Sequence, residues 1–142
     1  MLDPGRAVAY ATAMPHHTFP DSDIPAAYGA YSHAVEAGGF VFVAGQIARG
    51  AQTGTLIDAD IAGQTRRCIE IVQSILRRLG LDLGDIVRST VYLADIGDFA
   101  AMNAVYGAMI PAPYPARSTP QVSLPYGALV SLEVTAYRRG GG

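Results

Sequence analysis

From Asp60 to Asp95 the chain reads DIAGQTRRCIEIVQSILRRLGLDLGDIVRSTVYLAD, a segment of helical period followed by one of strand character. Ile61, Cys68, Ile69, Val72, Ile75, Leu76 and Leu79 recur at three- and four-residue intervals, which lays them along one face of a helix. Asp60 has the short acceptor side chain that caps a first turn, and Gly80 supplies the stop. Ile86 to Leu93 is rich in β-branched residues and bounded by Gly84-Asp85 and Asp95, so a strand is expected there.

On the N-terminal side, Tyr31 to Ala37 and Phe40 to Gly45 are extended runs separated by Gly38-Gly39, the two-residue connection of a hairpin. Gln46 to Ala59 has turn chemistry without periodicity and reads as a loop. Arg6 to Thr12 reads as a first strand, and Pro15 to Pro25 as a loop. A second helix starts near Asp95 or Asp98, with Phe99, Met102, Val105, Tyr106 and Met109 as its apolar stripe, until Pro111, Pro113 and Pro115 forbid continuation. Strands at Arg117 to Val122 and Leu129 to Tyr137 flank a turn at Pro125-Tyr126-Gly127, and Gly140 to Gly142 should be a flexible tail. Two helices among these strands predict a single α/β domain over residues 1–142, a two-layer sandwich with both helices on one sheet face.

The other sheet face is mixed. Alternation sends Val130, Leu132, Val134 and Ala136 one way and Ser131, Glu133, Thr135 and Tyr137 the other. It likewise separates Val87, Ser89, Val91 and Leu93 from Arg88, Thr90 and Tyr92, and puts Arg117, Thr119 and Gln121 on one face. Hydroxyls and rings, in place of a fringe of Lys and Glu, suit a face that packs on other subunits and leaves small polar pockets. Composition agrees: of 142 residues 50% are apolar and only 15% charged, against roughly 25% charged in soluble proteins. A homo-oligomer is expected, since large apolar patches mark interfaces.

The formal charge of −2 provides no basic field for phosphates, so nucleic acid is not the expected partner. Met1-Leu2-Asp3-Pro4 has no cationic and apolar leader and no apolar run reaches membrane-span length, so the expectation is a cytoplasmic protein without membrane contact. Cys68 alone can form neither an internal disulfide nor a thiolate zinc site, and its neighbours Ile69, Val72 and Ile75 mark it as a core residue. His16, His17 and His33 lack metal-ligand spacing, no serine sits in a nucleophile elbow, and Gly38-Gly39 has no phosphate-loop or dinucleotide pattern. What remains is Arg117, where the proline-rich loop enters a strand. Its planar fork suits a carboxylate; a salt bridge, for instance to Glu133, is the competing use.

Gly29-Ala30-Tyr31-Ser32-His33-Ala34-Val35, Phe42-Val43-Ala44-Gly45-Gln46-Ile47, Thr53-Gly54, Gln64-Thr65, Asp98-Phe99-Ala100, Asn103, Tyr106 and Pro115-Ala116-Arg117-Ser118 occur in this order. Over about residues 31–138 the chain thereby resembles the RidA/YjgF family of reactive-intermediate imine deaminases, with residues 1–30 divergent. The resemblance implies a chorismate-mutase-like fold, a homotrimer with its sheets facing inward, and ligand clefts at subunit boundaries. It implies hydrolysis of 2-imino or 2-enamino acids to 2-oxo acids and ammonia, without metal or cofactor. It assigns Arg117 to the substrate carboxylate, Tyr31 to the pocket wall, Asn103 to a position near it, and Ser118 and Thr119 to orienting the imine. Tyr31 and Asn103 also have structural readings, as interface packing and as a local hydrogen bond.

The chain departs from the family in its last strand. The family often carries two alternating glutamates there, the first positioning the attacking water; gapless alignment puts Ser131 at the first and Glu133 at the second. Two residues span about 6.6 to 6.8 Å of strand, so Glu133 serves only if the pocket shifts. Ala30 stands in place of a proline, Thr119 in place of a frequent cysteine, and the preceding hairpin is one residue shorter. Besides an imine deaminase, a small-carboxylate sensor and a family member acting on a larger metabolite, with Ser131 opening the pocket, remain as readings.

Overall fold

Asp60 caps the first helix as its position predicts: its Oδ1 accepts the Gly63 N–H at 2.9 Å, starting α1 (Ile61–Arg78). The chain turns away at Gly80, whose φ of +76° is open to glycine without steric cost. The buried face of α1 is wider than its apolar period, because Gln64, Thr65 and Ile71 are buried too. The helix packs at once on the sheet and on α2 (Phe99–Met109). Its buried polar groups are satisfied: Gln64 donates to Ala59 O and accepts from Leu129 N, and Thr65 donates to Ile61 O. Cys68 is 1% exposed, and burial pushes its thiol up to about 12.

The computed structural model describes residues 14–19 and 23–140. The strand expected at Arg6 to Thr12 and the end of the glycine tail lie outside them. Among the described residues six strands form one mixed sheet: β1 (His16–His17), β2 (Ala34–Ala37), β3 (Phe40–Ile47), β4 (Ile86–Leu93), β5 (Ala116–Ser118) and β6 (Val130–Tyr137), in the spatial order β1-β2-β3-β6-β4-β5. Gly38 and Gly39 take φ of +58° and +84°, the left-handed pair that a two-residue hairpin needs. Val41, Val43, Val91, Leu132, Val134 and Ala136 face the helices in the core.

Several expectations are corrected. The Pro15 to Pro25 segment is not all loop: His16 and His17 pair with Val35 and Ala34. Only Ala34 to Ala37 of the run from Tyr31 is strand, whereas β3 runs on past Gly45, through a bulge after Val43, to pair Gln46 with Leu132 and Ile47 with Ser131. Gln46 and Ile47 are therefore not loop. The strands flanking the Pro125 turn are not neighbours. β5 is three residues long and parallel to β4, which separates it from β6. Val87 is 44% exposed and Ile86 6%, the reverse of strict alternation, because a register shift between Ile86 and Arg88 inserts one residue. A bulge turns one side chain over.

Candidate active site

Arg117 is paired with Ser89 across the parallel β4–β5 ladder, which puts both side chains on the helix face of the sheet. Ser89 bonds the Tyr106 hydroxyl at 2.6 Å. The Arg117 guanidinium lies over the Tyr106 ring at 4.6 Å and near Phe99 at 5.4 Å from the centroids. It forms no ion pair or hydrogen bond among the described residues, so the expected alternative of a bridge to Glu133 is not present. Phe99 is not a core residue of its helix but is 38% exposed beside this cation. Asn103, Tyr106, Gly107, Tyr114, Pro115 and Arg117 enclose a recess of about 380 Å³. Asn103 projects from α2, exposed and without a hydrogen bond among the described residues.

Tyr31 and Ser131 come together elsewhere, in a cavity of about 460 Å³ whose wall includes Gly45, Gln46, Tyr28, Arg49 and Tyr126. Ser131 pairs with Ile47 and Tyr92 at the middle of the sheet and is 8% exposed. A Cβ on Gly45 would stand 3.3 Å from its Oγ, so the glycine keeps that hydroxyl open to the cavity. Pro125, Tyr126 and Gly127 form the turn on its rim, with Tyr126 at φ +59°.

Glu133 does not reach this cavity. It lines a recess of about 360 Å³ with Phe42, Arg88, Thr90 and Thr135, on the helix-free face, and accepts the Tyr92 hydroxyl at 2.6 Å. That bond, with burial, pushes the Tyr92 phenol above its ordinary value. Ser118 is on the same face, accepting from Arg88 Nη2 at 2.9 Å, and Thr119 follows it half-buried. Each chain thus presents the residues in three places: Arg117 with Asn103, Tyr31 with Ser131, and Glu133 with neither.

His33 is 1% exposed with both ring nitrogens engaged: Nδ1 accepts from Phe19 N and Nε2 donates to Pro25 O. His17 bonds Glu36 at 2.8 Å. Among the described residues no group of three or more His, Cys, Asp or Glu is arranged to hold a metal ion, and no helix is long and apolar enough to cross a membrane.

A family model described as endoribonuclease L-PSP matches residues 22–138. The chain belongs to this family, the RutC/RidA proteins. A RutC family protein of Pyrococcus abyssi is 44% identical over 115 residues, covering 80% of this chain and 91% of that one. The 2-iminobutanoate/2-iminopropanoate deaminase of Escherichia coli K12 is 38% identical over 126 residues, covering 86% and 98%. Among solved structures, the E. coli YjgF gene product superposes with a TM-score of 0.79 at 38% identity over 86% of this chain and 98% of that one. E. coli TdcF with bound serine gives 0.80 at 37% identity over 87% and 99%. The RutC/RidA assignment agrees with the mixed six-stranded sheet and two helices described above.

Arg117, Tyr31 and Asn103 are legible as candidates in the sequence, where Phe99 and Tyr106 stand as stripe and motif residues and not as the rings under the guanidinium. Arg49 and Tyr28 carry no such signal, because their approach depends on how the loop after β3 folds back.

Proposed function

We propose that the protein hydrolyses small 2-imino acids to 2-oxo acids and ammonia in a cleft completed by a second copy of the chain. The observation that carries this reading is the Arg117 guanidinium, braced on two rings with its donors uncommitted among the described residues. Such a fork is made for a carboxylate. The recess holding Arg117 and Asn103 and the cavity holding Tyr31 and Ser131 are separate in one chain; a trimer that apposes them would place the carboxylate in one and the reacting carbon in the other. The named activity of the E. coli relative and the serine bound to TdcF, itself an α-carboxylate ligand, support the substrate class.

The imine carbon is already electrophilic, so positioning supplies much of the catalysis. Water held at the Ser131 hydroxyl adds its oxygen to that carbon and one proton to the nitrogen; the hydroxyl of the resulting carbinolamine then passes its proton to the nitrogen as the C–N bond breaks, which releases ammonia and leaves the 2-oxo acid. Ser131 is a water-positioning hydroxyl here and not a strong base. Glu133, bonded to Tyr92, would act through the sheet face and not on the substrate directly. Ammonia release from freshly generated 2-iminopropanoate and 2-iminobutanoate tests the reading. The parent protein should accelerate it, Arg117→Ala should abolish the acceleration, and Ser131→Glu should raise it by an order of magnitude or more. An inactive parent would overturn it.

A sensor of small carboxylates is the second reading, favoured by the serine at position 131. Ligand-dependent melting shifts without ammonia release would establish it.

A further inference from the structure

The cavity that holds Tyr31 and Ser131 contains a charge that hydrolysis leaves unused. Arg49 is 8% exposed and lines that cavity, yet it has no ion pair among the described residues. Its Nη2 donates to Ala26 O at 2.7 Å, and its guanidinium lies 4.8 Å from the centroid of the Tyr28 ring. An arginine carries five N–H donors. No side-chain nitrogen sealed from solvent lacks a partner among the described residues, so the rest of the fork is reachable by solvent, and Arg49 is part of the cavity wall. A cation this buried without an acid is costly, and its free edge matches a carboxylate.

The mounting is built. Arg49 forms a bridge with Leu56, donates its N–H to Ile47 O at 2.8 Å and accepts from Arg67 Nε at 2.9 Å. Tyr28 lies against Gly54, at φ +68°, where any Cβ would collide with the phenol hydroxyl. The aromatic platform under the guanidinium is therefore held from behind by a glycine. Among the described residues Arg49 is the one cation in the lining, which fits the single charge of a carboxylate better than a phosphate dianion.

We infer that Arg49 is a second carboxylate anchor and that the preferred substrate is a 2-imino acid with a distal carboxylate. The imine comes from the deaminase reading on which this inference rests; the second acid comes from Arg49 itself. Arg117 holds the α-carboxylate, Tyr31 and Ser131 face the imine carbon, and Arg49 receives the end of the side chain.

Isothermal titration with 2-oxoglutarate and 2-oxobutanoate, product forms of a dicarboxylic and a monocarboxylic substrate, reads the site without turnover. The parent should bind 2-oxoglutarate at least tenfold tighter. That ratio should fall tenfold or more in Arg49→Met and be partly recovered in Arg49→Lys. Equal affinities in the parent, or a ratio untouched by Arg49→Met, overturn the inference. Should Arg49→Met fail to fold because Ala26 loses its donor, the parent ratio and its change in Arg49→Lys decide. Ammonia release from the two corresponding imines separates the layers. Hydrolysis of both without preference for the dicarboxylate removes the Arg49 assignment and leaves the deaminase reading. Tighter 2-oxoglutarate binding with hydrolysis of neither keeps Arg49 as a carboxylate site and removes that reading.

Discussion

Arg117 keeps its charge available because faces of aromatic rings, and not an acid, hold it. A cation over a ring gains roughly 0.5–1 kcal/mol at exposed sites while its N–H edge remains free. Lysine in this place would keep the charge and lose the fork. Arg117→Lys should therefore weaken 2-oxo acid binding about tenfold to a hundredfold, the effect of one to two charge-assisted hydrogen bonds, with an unchanged circular dichroism spectrum. Titration calorimetry checks it. Cys68 makes the opposite point. Buried, with its thiol pushed up to about 12, it should resist a thiol reagent at pH 8 until denaturant is added. Rapid labelling of the native protein would contradict that burial. The candidacy of Arg117 was legible because a chain this poor in charge leaves few arginines at strand entrances. Its freedom from Glu133 was not, because strand alternation assigns a face only after the parallel partner is known, and Ser89 proved to be that partner.

At the scale of elements, the long helix and the two central strands follow local rules, and the bulges do not. α1 and its cap were legible from period and capping chemistry, and so was the Gly38-Gly39 hairpin. The turnover of Val87 was not, since an extra residue in one strand is defined only against its neighbour. The two-residue β1 was also invisible: it exists because tertiary contacts hold it. His17 and Arg138 both bond the Glu36 carboxylate, and His17, Phe19 and His33 stack in series. Burial acts to raise the Glu36 carboxyl, but the hydrogen bonds from His17 and Arg138 outweigh it and hold the group below its ordinary value. A lowered carboxyl contributes stability that is present above its unfolded value and lost as pH falls through the folded one. The parent should exceed Glu36→Gln in urea-unfolding free energy by about 1 kcal/mol at pH 7, and the difference should shrink as pH falls below the ordinary glutamate value of about 4.3. A gap that stays the same as the pH is lowered would show that the charge is not what holds the clasp.

At the scale of the whole molecule, the helix-free face leaves large rings in solvent. Phe40, Phe42 and Tyr137 are 41%, 47% and 39% exposed and adjoin one another, with ring centroids 5.1 and 6.3 Å apart. A patch of that kind is unusual on a monomer. Light scattering should give about three times the 14.9 kDa chain mass; a monomer at micromolar concentration would leave Arg117 and Tyr31 in separate recesses and take away the shared cleft. The two-layer α/β plan, α1, the alternation of β6 and the family are all written in the sequence, because these rest on local period and on motifs in order along the chain. Which residues share a recess follows from the tertiary structure. It set Ser131 beside Tyr31, left Glu133 with Tyr92, and turned Arg49 inward against Tyr28. Those outcomes depend on strand pairing and loop return between segments far apart in sequence, where no local preference acts.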